Sequence, residues 1–246
     1  MQAYVWNAIW GGGREEMAYK LANLGFKIVI CNSAQLYLDM AYSRDPDEIG
    51  LSWSGYTNTK SGFDLVPFDI YKTAGVADID NFVKGKTPLN AESKTNILGI
   101  QGQIWSETLR DEESLFYMMF PKLLSLAERA WTPADSWEAA SAKEILIQQK
   151  AYWNSFSNTL GQSVLPKLDA YDVTYRIPSP GAVLDDGRLF ANTAFPGQTI
   201  RYTTDGTEPT IQSAEYNSPV KTTGQVKLKT FAENGRSSRT AIVNNK

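Results

Sequence analysis

Between Tyr4 and Cys31 the chain reads strand, helix, strand, and this order restricts its fold more than any other feature. Tyr4 to Ile9 is a short aromatic and β-branched run ending at Gly11-Gly12-Gly13, which predicts a strand and then a permissive turn. Glu15 to Leu24 places apolar residues at Met17, Leu21 and Leu24 and stops at Gly25, which predicts a helix with one buried face. Phe26 to Cys31 (FKIVIC) is a continuous apolar run, the pattern of a strand covered on both faces. A helix between two such strands returns the chain to the same end of the sheet, so the strands run parallel. Ile97 to Gln103 (ILGIQGQ) is a third parallel strand by this reading. The segment 32–96 between them is rich in Asp, Ser, Thr, Gly and Pro, with helix expected only around Pro67 to Ala74.

Beyond Trp105 the pattern becomes helical. Ser114 is expected to cap one helix, and Pro121 to kink it or open another. Leu123, Leu124, Ala127, Ala130 and Trp131 form an apolar stripe. Asp135 and Glu138 have capping-box spacing, before a helix carrying Trp137, Leu146, Tyr152, Trp153, Phe156 and Leu160 that Gly161 should end. Residues 161 to about 174 read as a linker. Runs of four to seven residues then alternate with turn signals such as Asp186-Gly187, Pro196-Gly197, Asp205-Gly206 and Asn234-Gly235. That spacing predicts a small all-β sandwich. The class is therefore α/β followed by all-β, with domains expected at 1–165 and 171–246.

Composition narrows the chemistry. The net charge is −3 with no basic run, which argues against nucleic acid or an anionic membrane as partner. There is no histidine, so Ser-His-Asp and Cys-His nucleophile systems and His-ligated metal sites are excluded from this chain. Cys31 is the single cysteine, so no intrachain disulfide forms, and at a strand end it is expected to be buried and inert. No apolar stretch is long enough to span a membrane. The chain opens directly on a strand with no signal-peptide pattern, and is expected to be a piece of something longer.

All seven tryptophans fall in the first 153 residues, and some sit beside carboxylates at the ends of the expected strands. Trp6-Asn7 follows the first strand, Asn32-Ser33 and then Tyr37-Leu38-Asp39 the second, and Gln101 to Glu107 the third. In parallel β/α barrels functional groups collect at the C-terminal strand ends. Tyr37 and Asp39 share one side of an extended segment, as do Trp105 and Glu107. Indole faces stack on the C–H faces of sugars, while carboxylates accept their hydroxyl protons. Trp10 is read as packing, and Trp131, Trp137 and Trp153 as core. Asp186 and Asp205 are read as turn residues and not calcium ligands.

The segments VWNAIWGGG, NSAQLYLDMAY, DPDEIGLSW, LGIQGQIWSE and PKLLSLAERAW, in this order, resemble the C-terminal portion of glycoside hydrolase family 20, the β-N-acetylhexosaminidases and chitobiases. The segments PSPGAVLDDGRLFAN, IRYTTDGTEPT and NGRSS resemble the β-sandwich that follows the barrel in bacterial chitobiases. The resemblance implies a partial (β/α)8 TIM barrel, its last three β/α units, followed by a small immunoglobulin-like sandwich. It implies an N-acetylhexosamine oligosaccharide as substrate and no cofactor or metal. It assigns Trp6 to the wall of the N-acetyl pocket and Tyr37 to a catalytic hydrogen bond on the acetamido oxygen. Asp39 is assigned to the outer hydroxyls, Trp53 to stacking on the next sugar, Trp105 to the floor under the terminal ring, and Glu107 to its 4- and 6-hydroxyls. It also implies a periplasmic, outer-membrane-associated or secreted location.

One departure counts as much as the match. The family's acid, an Asp-Glu pair in a motif that begins with histidine, has no counterpart here, because Asp47-Glu48 and Asp111-Glu112 occupy loop or helix-start positions. The chain alone is therefore expected to have little turnover and to need the missing N-terminal part of the barrel as partner. The competing reading is a non-catalytic carbohydrate-binding protein that uses the same aromatic pocket. In a third reading the sandwich alone is autonomous, and residues 1–165 are aggregation-prone because three strands leave open edges.

Overall fold

The computed structural model describes residues 1–6, 9–74, 77–133 and 141–244, without the side chains at 142, 145 and 146. Asn7, Trp137, the Asp135/Glu138 cap and the side chain of Leu146 lie outside the described residues. The chain divides into two compact units, Met1–Lys150 and Ala151–Lys246.

In the first unit β1 (Gln2–Val5), β2 (Lys27–Ile30) and β3 (Ile97–Ile100) form a parallel sheet in the order β1-β2-β3. The central strand is apolar because both its faces are covered, and Ile28 and Ile30 are fully buried. Helix α1 (Met17–Asn23) connects β1 to β2 and ends before Gly25, whose φ of 90° is the left-handed stop that favours glycine.

Its buried face is not the expected one. Ala18, Tyr19 and Ala22 are buried, whereas Met17 and Leu24 are exposed. The alanines let the helix approach the sheet, and the Tyr19 hydroxyl donates to Pro67 O (2.9 Å) and accepts from Ile70 N–H (2.7 Å). With those partners the larger side chain is stable inside. Val5, Ile28, Ile30, Leu36, Leu65, Ile70 and Tyr71 complete this core.

The segment between β2 and β3 is better ordered than its composition predicts. It contains α2 (Ser33–Leu36), α3 (Thr59–Asp64), a 3₁₀ turn at Ile70–Thr73, α4 (Ile79–Val83) and a second 3₁₀ turn at Ala91–Asn96. Reciprocal capping by Asn58 and Ser61 starts α3, a short-range signal hidden among loop residues. After β3 come α5 (Glu112–Met119) and α6 (Lys122–Trp131). Asp111, not Ser114, caps α5, and Ser114 returns the bond as the third residue of the helix. Pro121 opens a new helix rather than kinking the old one.

The expected apolar stripe of α6 is not its buried face. Lys122, Ser125 and Arg129 are buried, whereas Trp131, read as core, is 89% exposed. Polar partners on neighbouring segments select the buried face. Ser125 lies so close to Gly62 of α3 that a β-carbon there would sit 3.1 Å from its Oγ.

The second unit begins within α7 (Ala142–Thr159), continues as a π turn (Leu160–Val164) and ends its helical part with α8 (Leu165–Ala170). Gly161 therefore does not stop the helix, and the stretch read as linker is largely helical. The glycine serves close approach instead: a β-carbon would run into the carbonyl oxygen of Pro196. Two antiparallel sheets follow, β10-β9-β6-β7 and β4-β5-β8. They comprise β4 (Gly181–Asp185), β5 (Arg188–Asn192), β6 (Thr199–Thr203), β7 (Ala214–Glu215), β8 (Val220–Lys221), β9 (Val226–Phe231) and β10 (Ala241–Val243). Asp186 and Gly187, both at positive φ, make the tight β4–β5 hairpin predicted from the Asp-Gly pair. Leu189, Ile200, Val226 and Leu228 form the core of this unit, each worth about 1.5–3 kcal/mol on burial.

Candidate functional site

The site is assembled where the parallel sheet runs out. Beyond β2 the chain makes the single turn α2 and resumes an extended path, and Tyr37 pairs with Gln103 beyond β3. Gln103 N–H donates to Leu36 O (3.2 Å) and Leu38 N–H to Gln103 O (2.7 Å). The sheet is thus extended past its regular ends as far as Tyr37; Leu38 and Asp39 then form a turn that Met40 N–H closes on Tyr37 O (3.4 Å), and Tyr37 and Asp39 both line the same cleft. Trp6 follows β1 and is tied by its carbonyl to Ser33 N–H (3.0 Å). Trp53 arrives on a loop pinned by the Ser33–Ser54 hydroxyl pair (2.6 Å) and by Thr57 N–H on Ala41 O (3.0 Å).

Six residues singled out from sequence, Trp6, Tyr37, Asp39, Trp53, Trp105 and Glu107, line one cleft of about 670 Å³. The rings of Trp6 and Trp53 meet edge to face at 6.4 Å, and Tyr37 meets Trp53 at 5.8 Å in the same manner. Trp105 lies 6.4 Å from Tyr37, tilted by 52°. The indoles are roughly half exposed, while Tyr37 and Asp39 are buried at the base. Flat apolar walls above a polar floor suit a ring with C–H faces and hydroxyl edges.

Tyr4, Cys31, Gln101 and Gln103 also line the cleft. The signal for Tyr4 was its two-residue spacing from Trp6, which puts both on one face of β1. The two glutamines stood in the third strand-end motif but carried no assigned role. Cys31 is buried as expected, and it is also one of the residues that line the cleft.

The electrostatics favour a donor-rich neutral ligand. Burial pushes the Asp39 carboxyl above its ordinary range, and Glu107 adds to this; backbone N–H groups of Asp39 and Trp105 and the Lys122 charge oppose it. Burial also raises the Tyr37 phenol, against a hydrogen bond from Trp105, so the hydroxyl keeps its proton and remains a donor. No protein group among the described residues hydrogen-bonds Asp39 Oδ1 or Gln103 Oε1, although both atoms are buried. An unsatisfied buried acceptor costs roughly 1–3 kcal/mol, a cost that an incoming hydroxyl or amide N–H removes. No group of His, Cys, Asp and Glu among the described residues is arranged to hold a metal ion, and no described helix is long and apolar enough to cross a membrane.

Comparison with known proteins identifies the two parts of the chain. Residues 2–134 match the catalytic domain of glycosyl hydrolase family 20, and residues 164–240 the chitobiase/β-hexosaminidase C-terminal domain. The chain is 33% identical to the N,N'-diacetylchitobiase of Vibrio harveyi over 94% of its own length and 27% of that protein. It is 30% identical to a Vibrio vulnificus β-hexosaminidase, covering 98% of this chain and 30% of that one. It thus spans less than a third of the length of these relatives. A Streptomyces plicatus β-hexosaminidase solved with the product GlcNAc has a similar fold, with a TM-score of 0.51 and 24% identity over 71% of this chain and 28% of that one. A parallel sheet with an aromatic cleft at its C-terminal edge, matched by the catalytic-domain pattern over more than half the chain, places this protein in glycosyl hydrolase family 20, as a partial TIM-barrel-like domain followed by the C-terminal domain of chitobiases and β-hexosaminidases.

Proposed function

We propose that the protein containing this chain removes terminal non-reducing N-acetylhexosamine residues from β-linked oligosaccharides, and that the chain supplies the cup that holds the sugar. The observation that carries the reading is the convergence of Trp6, Tyr37, Asp39, Trp53, Trp105 and Glu107 on one cleft. β1, β2 and β3 act as the sixth, seventh and eighth strands of a (β/α)8 barrel, and the second unit is an immunoglobulin-like sandwich. The location is periplasmic, outer-membrane-associated or secreted, as the family resemblance implies.

The reaction is substrate-assisted retaining hydrolysis. The acetamido oxygen of the substrate attacks the anomeric carbon while a carboxylic acid protonates the departing oxygen, and water then opens the cyclic intermediate. Tyr37 donates its hydroxyl hydrogen bond to the acetamido oxygen, and a donor of that kind is worth roughly 3–4 kcal/mol. Trp105 supports the ring, Trp6 walls the acetamido group, Asp39 and Glu107 accept hydrogen bonds from the hydroxyls of the sugar, and Trp53 stacks on the following sugar. The acid and the carboxylate that orients the acetamido group come from sequence outside this chain.

Calorimetry with N-acetylglucosamine and with glucose, beside an assay on a chromogenic N-acetyl-β-glucosaminide, tests this. The chain should bind the acetamido sugar in preference to glucose, and turnover should need the acid pair. Equal binding of both sugars would end the reading. Binding without turnover by the protein as its gene encodes it would favour a non-catalytic sugar binder.

A further inference from the structure

Lys122 opens α6 with its side chain fully buried, a costly place for an ammonium unless each proton has a partner. Its Nζ donates to Leu38 O at 2.8 Å and to Met40 O at 2.6 Å, and the Tyr42 ring lies 3.7 Å away on another side. Those two carbonyls flank Asp39. Leu38 and Asp39 form a turn that Met40 N–H closes on Tyr37 O (3.4 Å), and one cation reaches the carbonyls on both sides of Asp39. The other backbone groups of this stretch are also tied. Asp39 O accepts from Leu51 N–H (3.2 Å), Ala41 N–H donates to Leu51 O (2.7 Å), and Leu38 N–H donates to Gln103 O (2.7 Å). Gly50 permits this closeness: a β-carbon there would meet Asp39 O at 2.6 Å.

We propose that Lys122 is a positioning residue for sugar recognition, its ammonium clamping the backbone on both sides of Asp39 and supplying the positive charge behind that carboxylate. The inference rests on the hexosamine reading above. The clamp does two jobs. It holds the Tyr37–Asp39 register against the strand end at Gln103, and it offsets the negative field that Glu107 imposes on Asp39. An apolar residue would fill the same space but would leave two buried carbonyls without donors. Burial acts most strongly on the ionisation of Asp39, and the groups facing it are its own N–H, the N–H of Trp105, Glu107 at the cleft and Lys122 from α6. Tyr37 and Cys31 share the cleft with it. Arg129 of α6 and Asp64 of α3 interact with each other electrostatically.

The test uses Lys122→Gln and Lys122→Arg in the protein as its gene encodes it. Glutamine keeps amide donors for the carbonyls and removes the charge, so the fold survives, as a melting curve will show. N-acetylglucosamine binding should weaken about tenfold or more. The pH below which binding fails should move upward, because Asp39 takes up its proton more readily without the cation. Arginine should restore most of the affinity and the wild-type pH profile. A merely structural lysine would change the melting temperature and leave the pH profile alone. A glutamine variant with unchanged affinity and pH profile overturns the proposal. If the wild type binds no sugar, the hexosamine reading fails by itself. Carboxyl NMR of Asp39 then decides for the clamp, whose charge role is lost if the Asp39 titration is the same with lysine and glutamine at position 122.

Discussion

The rings of Tyr37 and Trp105 lie 6.4 Å apart and tilted by 52°, although they stand on different strand extensions and are separated by the whole of segment 38–104. The pairing of Tyr37 with Gln103 brings them together, since it bridges the two extensions two residues before Trp105. The phenol lies buried at the base of the cleft, while the indole, half exposed, stands as one of its walls.

Exposure of that indole leads to the first prediction. Trp105→Ala should leave the folding stability within about 0.5 kcal/mol of wild type, because a surface position contributes little to folding. Its loss should weaken N-acetylglucosamine binding by about 1–1.5 kcal/mol, close to tenfold, through the lost stacking face. Calorimetry and a thermal melt on the same sample check both halves.

Asp39 should show the opposite balance. Its folded-state pKa lies above the ordinary 3.8, chiefly from burial, so the folded protein holds the proton more tightly than the unfolded chain. The associated stability is fully present below that ordinary value and is lost as pH rises through the raised one. At neutral pH the buried carboxylate therefore burdens the empty cleft. Asp39→Asn is expected to raise the melting temperature at neutral pH, to flatten its pH dependence in the acid range, and to weaken sugar binding by about 2 kcal/mol. A variant that melts lower and binds normally would contradict this.

A second acid-sensitive feature lies between α1 and the chain before β3. Glu16 is held at about 2, first by its hydrogen bond from the Lys20 ammonium and next by the Thr87 N–H at 2.7 Å. Beside it, burial raises the Glu15 carboxyl, but Lys86 at 2.6 Å outweighs this and the net direction is down. Depressed carboxylates stabilise the fold above their ordinary value, 4.5 for Glu16, and the contribution fades as pH falls from there towards about 2. The protection factor of the Thr87 amide should fall across that window. Glu16→Gln should remove the acid dependence while costing roughly 0.5–1 kcal/mol at neutral pH, the scale of a mostly exposed pair.

In the second unit Asp169 gathers three donors: Arg236 Nη2 (2.6 Å), Asn234 Nδ2 (2.9 Å) and the Tyr175 hydroxyl (3.1 Å). The guanidinium also lies 4.4 Å from the centre of the Tyr175 ring. Removing it leaves a largely buried carboxylate with neutral donors alone. Arg236→Ala should therefore destabilise this unit by about 2 kcal/mol. Arg236→Lys should recover part of that, since it restores charge without the planar stack. Urea melts of the three proteins measure the difference.

What the amino-acid order determined by itself is local. The apolar run through Ile28 and Ile30 marked the central strand, and Asp186-Gly187 specified a hairpin, because each depends on backbone geometry within a few residues. Tyr37 with Asp39 and Trp105 with Glu107 do line one cleft, but across a turn at 38–39 and a bend at 106–107 and not along the extended segments that their two-residue spacing predicted. Tertiary structure alone decided the rest. Tyr19 lies inside because its hydroxyl finds Pro67 and Ile70, Gly161 passes through a helical stretch because Pro196 crowds it, and α6 buries Lys122 in preference to Trp131 because two carbonyls 82 and 84 positions earlier await its protons. Periodicity along one segment carries no record of partners that folding brings in from another, and a buried polar face is stable only where those partners stand.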